Sequence, residues 1–130
     1  MSNPNIVSVT AIYGTTTYYT PSGTSAVVLL PNAASSGHVY KINNIVVSNT
    51  TASAANTTVA IYTNGAVAQG SAPSGGTAYP IVSVVSVPAY SSLIAVDKTT
   101  SIYLQEGTSI SITSGTGSAL TYSISYEDIS

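Results

Sequence analysis

Leu120-Thr121-Tyr122-Ser123-Ile124-Ser125-Tyr126 decides how this chain is read. Leu120, Tyr122, Ile124 and Tyr126 fall on one side of an extended backbone. Thr121, Ser123 and Ser125 fall on the other. Ser109-Ile110-Ser111-Ile112-Thr113 repeats the alternation, and Ser114-Gly115-Thr116-Gly117-Ser118 between them is a Gly-rich turn cluster. The two segments read as a terminal antiparallel hairpin.

The same period runs upstream. Ser101-Ile102-Tyr103-Leu104 and 91–96 are short strands, closed by Gln105-Glu106-Gly107-Thr108 and Asp97-Lys98-Thr99-Thr100. Thr57-Thr58-Val59-Ala60-Ile61-Tyr62 alternates and stops before Asn64-Gly65, a turn dipeptide. Residues 39–49 form one long strand whose inward face changes phase between Ile42 and Ile45, which places a β-bulge at Asn43-Asn44. Residues 7–13 and 15–19 are expected to pair around Gly14. Helix signals are missing, because β-branched residues interrupt every window and Leu, Glu, Lys and Gln are scarce. The prediction is all-β: a single antiparallel β-sandwich over 1–130, with jelly-roll connections and 8–10 short strands.

Two segments lack a wet face. In 26–30 and in Ile81-Val82-Ser83-Val84-Val85-Ser86-Val87, apolar side chains fall on both sides. A sandwich strand shows one polar face, so either a loop of the same chain or another subunit covers the second. The stretch 66–79, centred on Gly70-Ser71-Ala72-Pro73-Ser74-Gly75-Gly76, reads as a long flexible surface loop.

Composition narrows function. The 130 residues carry two Lys, no Arg, no Cys, no Trp and no Phe, and only 5% are charged, against about 25% in ordinary soluble domains. Two cations give no footprint for phosphate, so nucleic acid is not an expected partner. Thiolate metal sites and disulfides are impossible. No apolar run is long enough to span a bilayer as a helix, and the first residues lack the basic and apolar regions of a signal peptide. The expectation is a protein made in the cytoplasm, without a membrane partner. Ser and Thr number 40, so the surface is a neutral coat of hydroxyls that neighbours can approach without desolvating charges.

Catalytic chemistry finds little support. His38 is the only histidine, and it reads as a solvated loop residue. Glu106 and Asp97 sit in turns, and Glu127-Asp128 is expected to be loosely held at the chain end. No nucleophile elbow, paired carboxylate cleft or calcium loop is present. No catalytic residue, metal or cofactor is expected. Asn49-Thr50-Thr51 and Asn56-Thr57-Thr58 match the glycosylation pattern but need a secretory route. The ten tyrosines combine an apolar body with a polar tip and suit interfaces or sugar stacking. With Phe and Trp absent, most are expected to serve the core and subunit contacts. The candidate interface is Ile6, Val7, Tyr18, Tyr19, Leu29, Tyr79, Val82, Val84, Val85 and Tyr90, with the N-terminal segment 1–13 docking on a neighbouring subunit.

Four segments carry a resemblance: Thr20-Pro21-Ser22-Gly23-Thr24; 41–51, ending in Asn49-Thr50-Thr51; Leu104-Gln105-Glu106-Gly107-Thr108 within 102–110; and the closing Ile124-Ser125-Tyr126-Glu127-Asp128-Ile129. Their order resembles small all-β virion structural proteins of tailed bacteriophages, particularly marine and cyanobacterial ones. Thr108 stands where those proteins commonly have Asp. The resemblance covers about four-fifths of the chain and carries over no catalytic residue. It implies a homo-oligomeric virion protein: a capsid decoration (cement) protein bound to the major capsid protein, or a neck, tail or fibre component. A carbohydrate-binding adhesion module is the alternative of another class.

Overall fold

The structure is a computed structural model and describes residues 3–130. Among the described residues nine strands form: β1 Ile12–Tyr19, β2 Val27–Asn32, β3 Val39–Asn49, β4 Ala55–Tyr62, β5 Ala78–Val87, β6 Ser92–Val96, β7 Ile102–Leu104, β8 Thr108–Ser114 and β9 Leu120–Ile129. No α-helix forms among the described residues; one 3-10 turn, Lys98–Thr100, separates β6 from β7. All pairings are antiparallel. One sheet has the order β1-β9-β3-β6, with β7 also on β3; the other has the order β2-β8-β4-β5.

β6 and β7 are two pieces of one interrupted edge. β6 pairs with residues 45–48 of β3 and β7 with residues 40–42. The interruption is the Asp97 cap. Its side chain accepts the amides of Thr99 and Thr100, while Thr100 Oγ1 accepts the Asp97 amide in return. The Thr99 hydroxyl, which donates to Asp97 Oδ1, and then the two amides hold the Asp97 carboxyl below the usual carboxylate range.

Side chains of both sheets meet in one buried cluster. Leu29, Leu30, Val59, Ile110 and Ile112 enter from one sheet, and Ile42, Ile45, Val47, Leu120, Tyr122 and Ile124 from the other. Two bulges shape it. Ile42 pairs with Tyr126 and Asn44 with Ser125, leaving Asn43 without a partner. The bulge therefore lies where the phase change places it, and both Ile42 and Ile45 reach the core. In β2, Val28 pairs with Ser111 and Leu30 with Ile110, so Leu29 is the extra residue, and adjacent leucines both join the cluster.

Tyr122 ties the sheets at the centre. Its ring is fully buried, and its hydroxyl meets Thr57 Oγ1 at 2.6 Å and the Thr113 carbonyl at 2.9 Å. Burial pushes this phenol up to about 12, with the Thr57 bond acting in the opposite sense. Two buried asparagines tie the sheets at their ends. Asn32, the last residue of β2, donates to the Leu104 and His38 carbonyls. Asn49, the last residue of β3, donates to the Val87 and Ser53 carbonyls. Each reaches the carbonyl of the residue that ends a strand of the other sheet.

Three expectations are corrected, and part of the N-terminal segment is placed. β8 and β9 do not form a hairpin: they lie in different sheets, and 115–119 carries the chain across. Residues 12–19 are one strand running through Gly14. Glu127 and Asp128 lie inside β9, paired to both β1 and β3. Of the segment 1–13, Met1 and Ser2 lie outside the described residues; Ala11 exchanges backbone bonds with Ser130, and Ile12 and Tyr13 pair with β9 of the same chain.

Candidate interaction surface

The two segments without a wet face have different fates. At β2 the cover is intramolecular. The Val28 amide donates to the Ser71 carbonyl, and the Gly70 amide donates back to the Val28 carbonyl. Loop 63–77 thus adds one short rung to the open edge of β2. Gln69 Nε2 binds the Leu29 carbonyl, and Tyr62 Oη bonds both the carbonyl and the amide of Gly76. Val28, Ala60 and Tyr62 are buried without belonging to the central cluster, and the loop bonds the first and last of them.

Among the described residues no element covers β5. It is the edge of its sheet, and eight of its ten residues are exposed. Val87 enters the core and Val82 packs against it, whereas Tyr79, Ile81, Val84 and Val85 remain open. Two irregularities disturb its pairing with β4. Val85 faces Thr57 and Val82 faces Val59, so Ser83 and Val84 both oppose Thr58. Ile81 is an extra residue between the Val82 and Pro80 pairs. A proline and two bulges blunt main-chain pairing at this edge. What the strand offers is its side chains.

Val84 is the focus. Its φ is +50°, a conformation that costs an L residue roughly 1–2 kcal/mol and is exceptional for a β-branched one. The bond from its amide to Thr58 Oγ1, 3.0 Å, holds the bulge. The side chain is 66% exposed. Beside it lies an open depression of about 170 Å³, lined by Asn56, Thr57, Thr58, Val84, Thr113 and Gly115. No residue of β5 or of this lining is charged.

The other expected interface residues scatter. Leu29 is fully buried in the core and is corrected from surface to core; the β2 bulge turns it inward. Tyr19 packs against the core, with Gly70 close to its ring. Tyr18 is exposed on β1, Tyr90 in the turn after β5, and Ile6 and Val7 before β1. Tyr79, Val82, Val84 and Val85 share β5, while Tyr18 and the half-buried Tyr19 share β1. Sequence reading missed the depression, because its walls come from β4, β5, β8 and the turn after β8, distant in sequence.

The ionisable side chains gather elsewhere. His38 Nδ1 bonds Asp128 Oδ1, so the partly exposed loop histidine is tethered to β9. Tyr40 stacks obliquely on Tyr126 at 4.9 Å. Both phenols are raised, chiefly by burial and then by Asp128. Glu106 accepts the Gly37 amide, and Glu127 accepts Asn43 Nδ2. Each carboxylate thus fastens a loop or bulge. Among the described residues no three His, Cys, Asp or Glu side chains gather as a metal site. Of the sequon asparagines, Asn56 is exposed and Asn49 is the buried tie described above.

The chain matches no protein-family model, no curated protein and no solved structure.

Proposed function

We propose that this protein is a non-enzymatic structural component of a phage virion, a capsid decoration protein that binds the outer shell as an oligomer and assembles through the β5 surface. The observation that carries the reading is the long, uncharged, apolar edge strand left open in a chain whose other two-faced strand is covered. Large exposed apolar patches mark interaction sites. We also read the two sheets as a jelly-roll sandwich. With the short β7 set aside, eight strands remain, and the partners β1–β9, β2–β8, β3–β6 and β4–β5 nest first with last. That winding belongs to capsid and lectin domains alike, so it supports a virion part without choosing the part. The resemblance to small all-β virion proteins points the same way.

A neck, tail or fibre position uses the same surface with fewer copies. Quantitative mass spectrometry of purified virions separates the two. A copy number near that of the major capsid protein supports decoration. A few rings' worth places the protein at the neck or tail, and absence from particles overturns the virion reading.

A carbohydrate-binding module is the second reading, favoured by the outer side of the β1 sheet. There exposed Tyr18 stands among cross-strand hydroxyl pairs, Thr16 with Ser125 and Thr20 with Thr121. An uncharged tyrosine-and-hydroxyl face suits neutral sugars.

A further inference from the structure

We infer that the β5 surface is self-complementary and that its occupant is a second copy of this chain, docked about a two-fold axis beside Val84. The inference rests on the reading of β5 as a contact surface, not on the kind of particle the protein serves.

Three observations lead to it. A knob and a hole are adjacent: the Val84 side chain projects from the bulge, and the same side chain forms one wall of the depression. A two-fold interface needs one patch that fits its own image. An axis passing between knob and hole lets each copy's Val84 enter the other's depression. The volume, about 170 Å³, is several times one water's share of roughly 30 Å³ and leaves room for an isopropyl group.

The second observation is charge. Identical copies bring identical charges to a two-fold contact, so any charged group near the axis would face its own image. β5 and the depression carry none, whereas the carboxylates Glu106, Glu127 and Asp128 lie on other elements. Neutral walls remove both like-charge repulsion and the desolvation of ions.

The third is the backbone. A β-branched residue occupies the left-handed region where glycine would be unstrained. The fold gains no buried side chain from it, because Val84 is exposed. The gain lies in presenting an apolar group above the depression. Strain of this kind concentrates where a surface is used.

The test is the solution mass of the full chain by sedimentation and light scattering across the micromolar range, in low and high NaCl. The expected result is a monomer–dimer equilibrium that salt does not dissociate. Val84→Gly removes the knob and relieves the positive φ. It should weaken self-association about tenfold or more while thermal stability stays at or above that of the parent. Tyr18→Ala, on the other sheet, should leave the dimer unchanged. A parent that stays monomeric throughout, or a V84G dimer as tight as the parent's, overturns the inference. Loss of the dimer in Y18A alone also overturns it and moves the contact to the β1 sheet. If the protein is monomeric yet abundant on particles, the inference fails and the virion reading stands. If it dimerises through Val84 and is absent from particles, the reverse holds.

Discussion

Asn32 and Asn49 hold together what a disulfide holds in many small domains. Both are buried, and both cross from one sheet to the end of a strand in the other. Their oxygens are used as well: Asn32 Oδ1 accepts Ser36 Oγ, and Asn49 Oδ1 accepts the amide and hydroxyl of Thr51. Nothing in the sequence separates these two from the exposed asparagines, because the signal is a carbonyl that the fold brings near from distant sequence. Tyr122 was more legible: its strand alternates, so burial of the ring followed from spacing alone, though the hydroxyl's partners did not. Its phenol yields a pH prediction. It ionises near 10.0 when unfolded and near 12 when folded. Its contribution is therefore complete below pH 10 and is lost as pH rises through 12. The loss is about 2–3 kcal/mol. Tyr40 and Tyr126 are raised too and act in the same direction. Urea midpoints should be flat up to pH 10 and fall steeply above it, with a shallower fall in Tyr122→Phe. A midpoint unaffected by pH up to 12 would contradict this burial.

At the scale of elements, period-2 spacing located the strands but not their partners. The bulge at Asn43 was readable because a phase change in hydrophobicity requires an extra residue. The β8–β9 hairpin was misread for a physical reason. A Gly-rich connection between two alternating strands also suits a chain crossing between sheets, and local sequence does not distinguish the two. Gly117 illustrates the crossing: a Cβ there would lie 2.5 Å from the Ser22 carbonyl oxygen. Composition reads 66–79 as a flexible loop; Ala78 and Tyr79 belong to β5, and Gly70-Ser71 of the loop close the β2 edge. Gly70 makes this closure possible, with φ +86° and the Tyr19 ring 3.0–3.2 Å from where a Cβ would sit. Gly70→Ala is predicted to strain the rung on Val28 by about 1–2 kcal/mol. Amide exchange at Val28 should accelerate by a factor of about 5–30, with β3 and β9 unaffected. Unchanged exchange at Val28 would show that the loop does not guard the edge.

For the whole molecule, the β1 sheet is centred on β9 and β3, so the last strand of the chain is among the first requirements of the fold. First-with-last pairing makes most contacts non-local, a topology that folds slowly. The low charge, legible from composition, becomes meaningful only with the placement of β5. One strand without a polar face is covered from within, and the other is left exposed. The central claim is that β5 is the surface through which this protein assembles. Hydrogen–deuterium exchange of the assembled protein against the dilute monomer tests it most directly. The account predicts slowed exchange across Tyr79–Val87 and the Thr58 region, with β1 unchanged. Protection confined to β1 around Tyr18, with β5 exchanging as in the monomer, would contradict it.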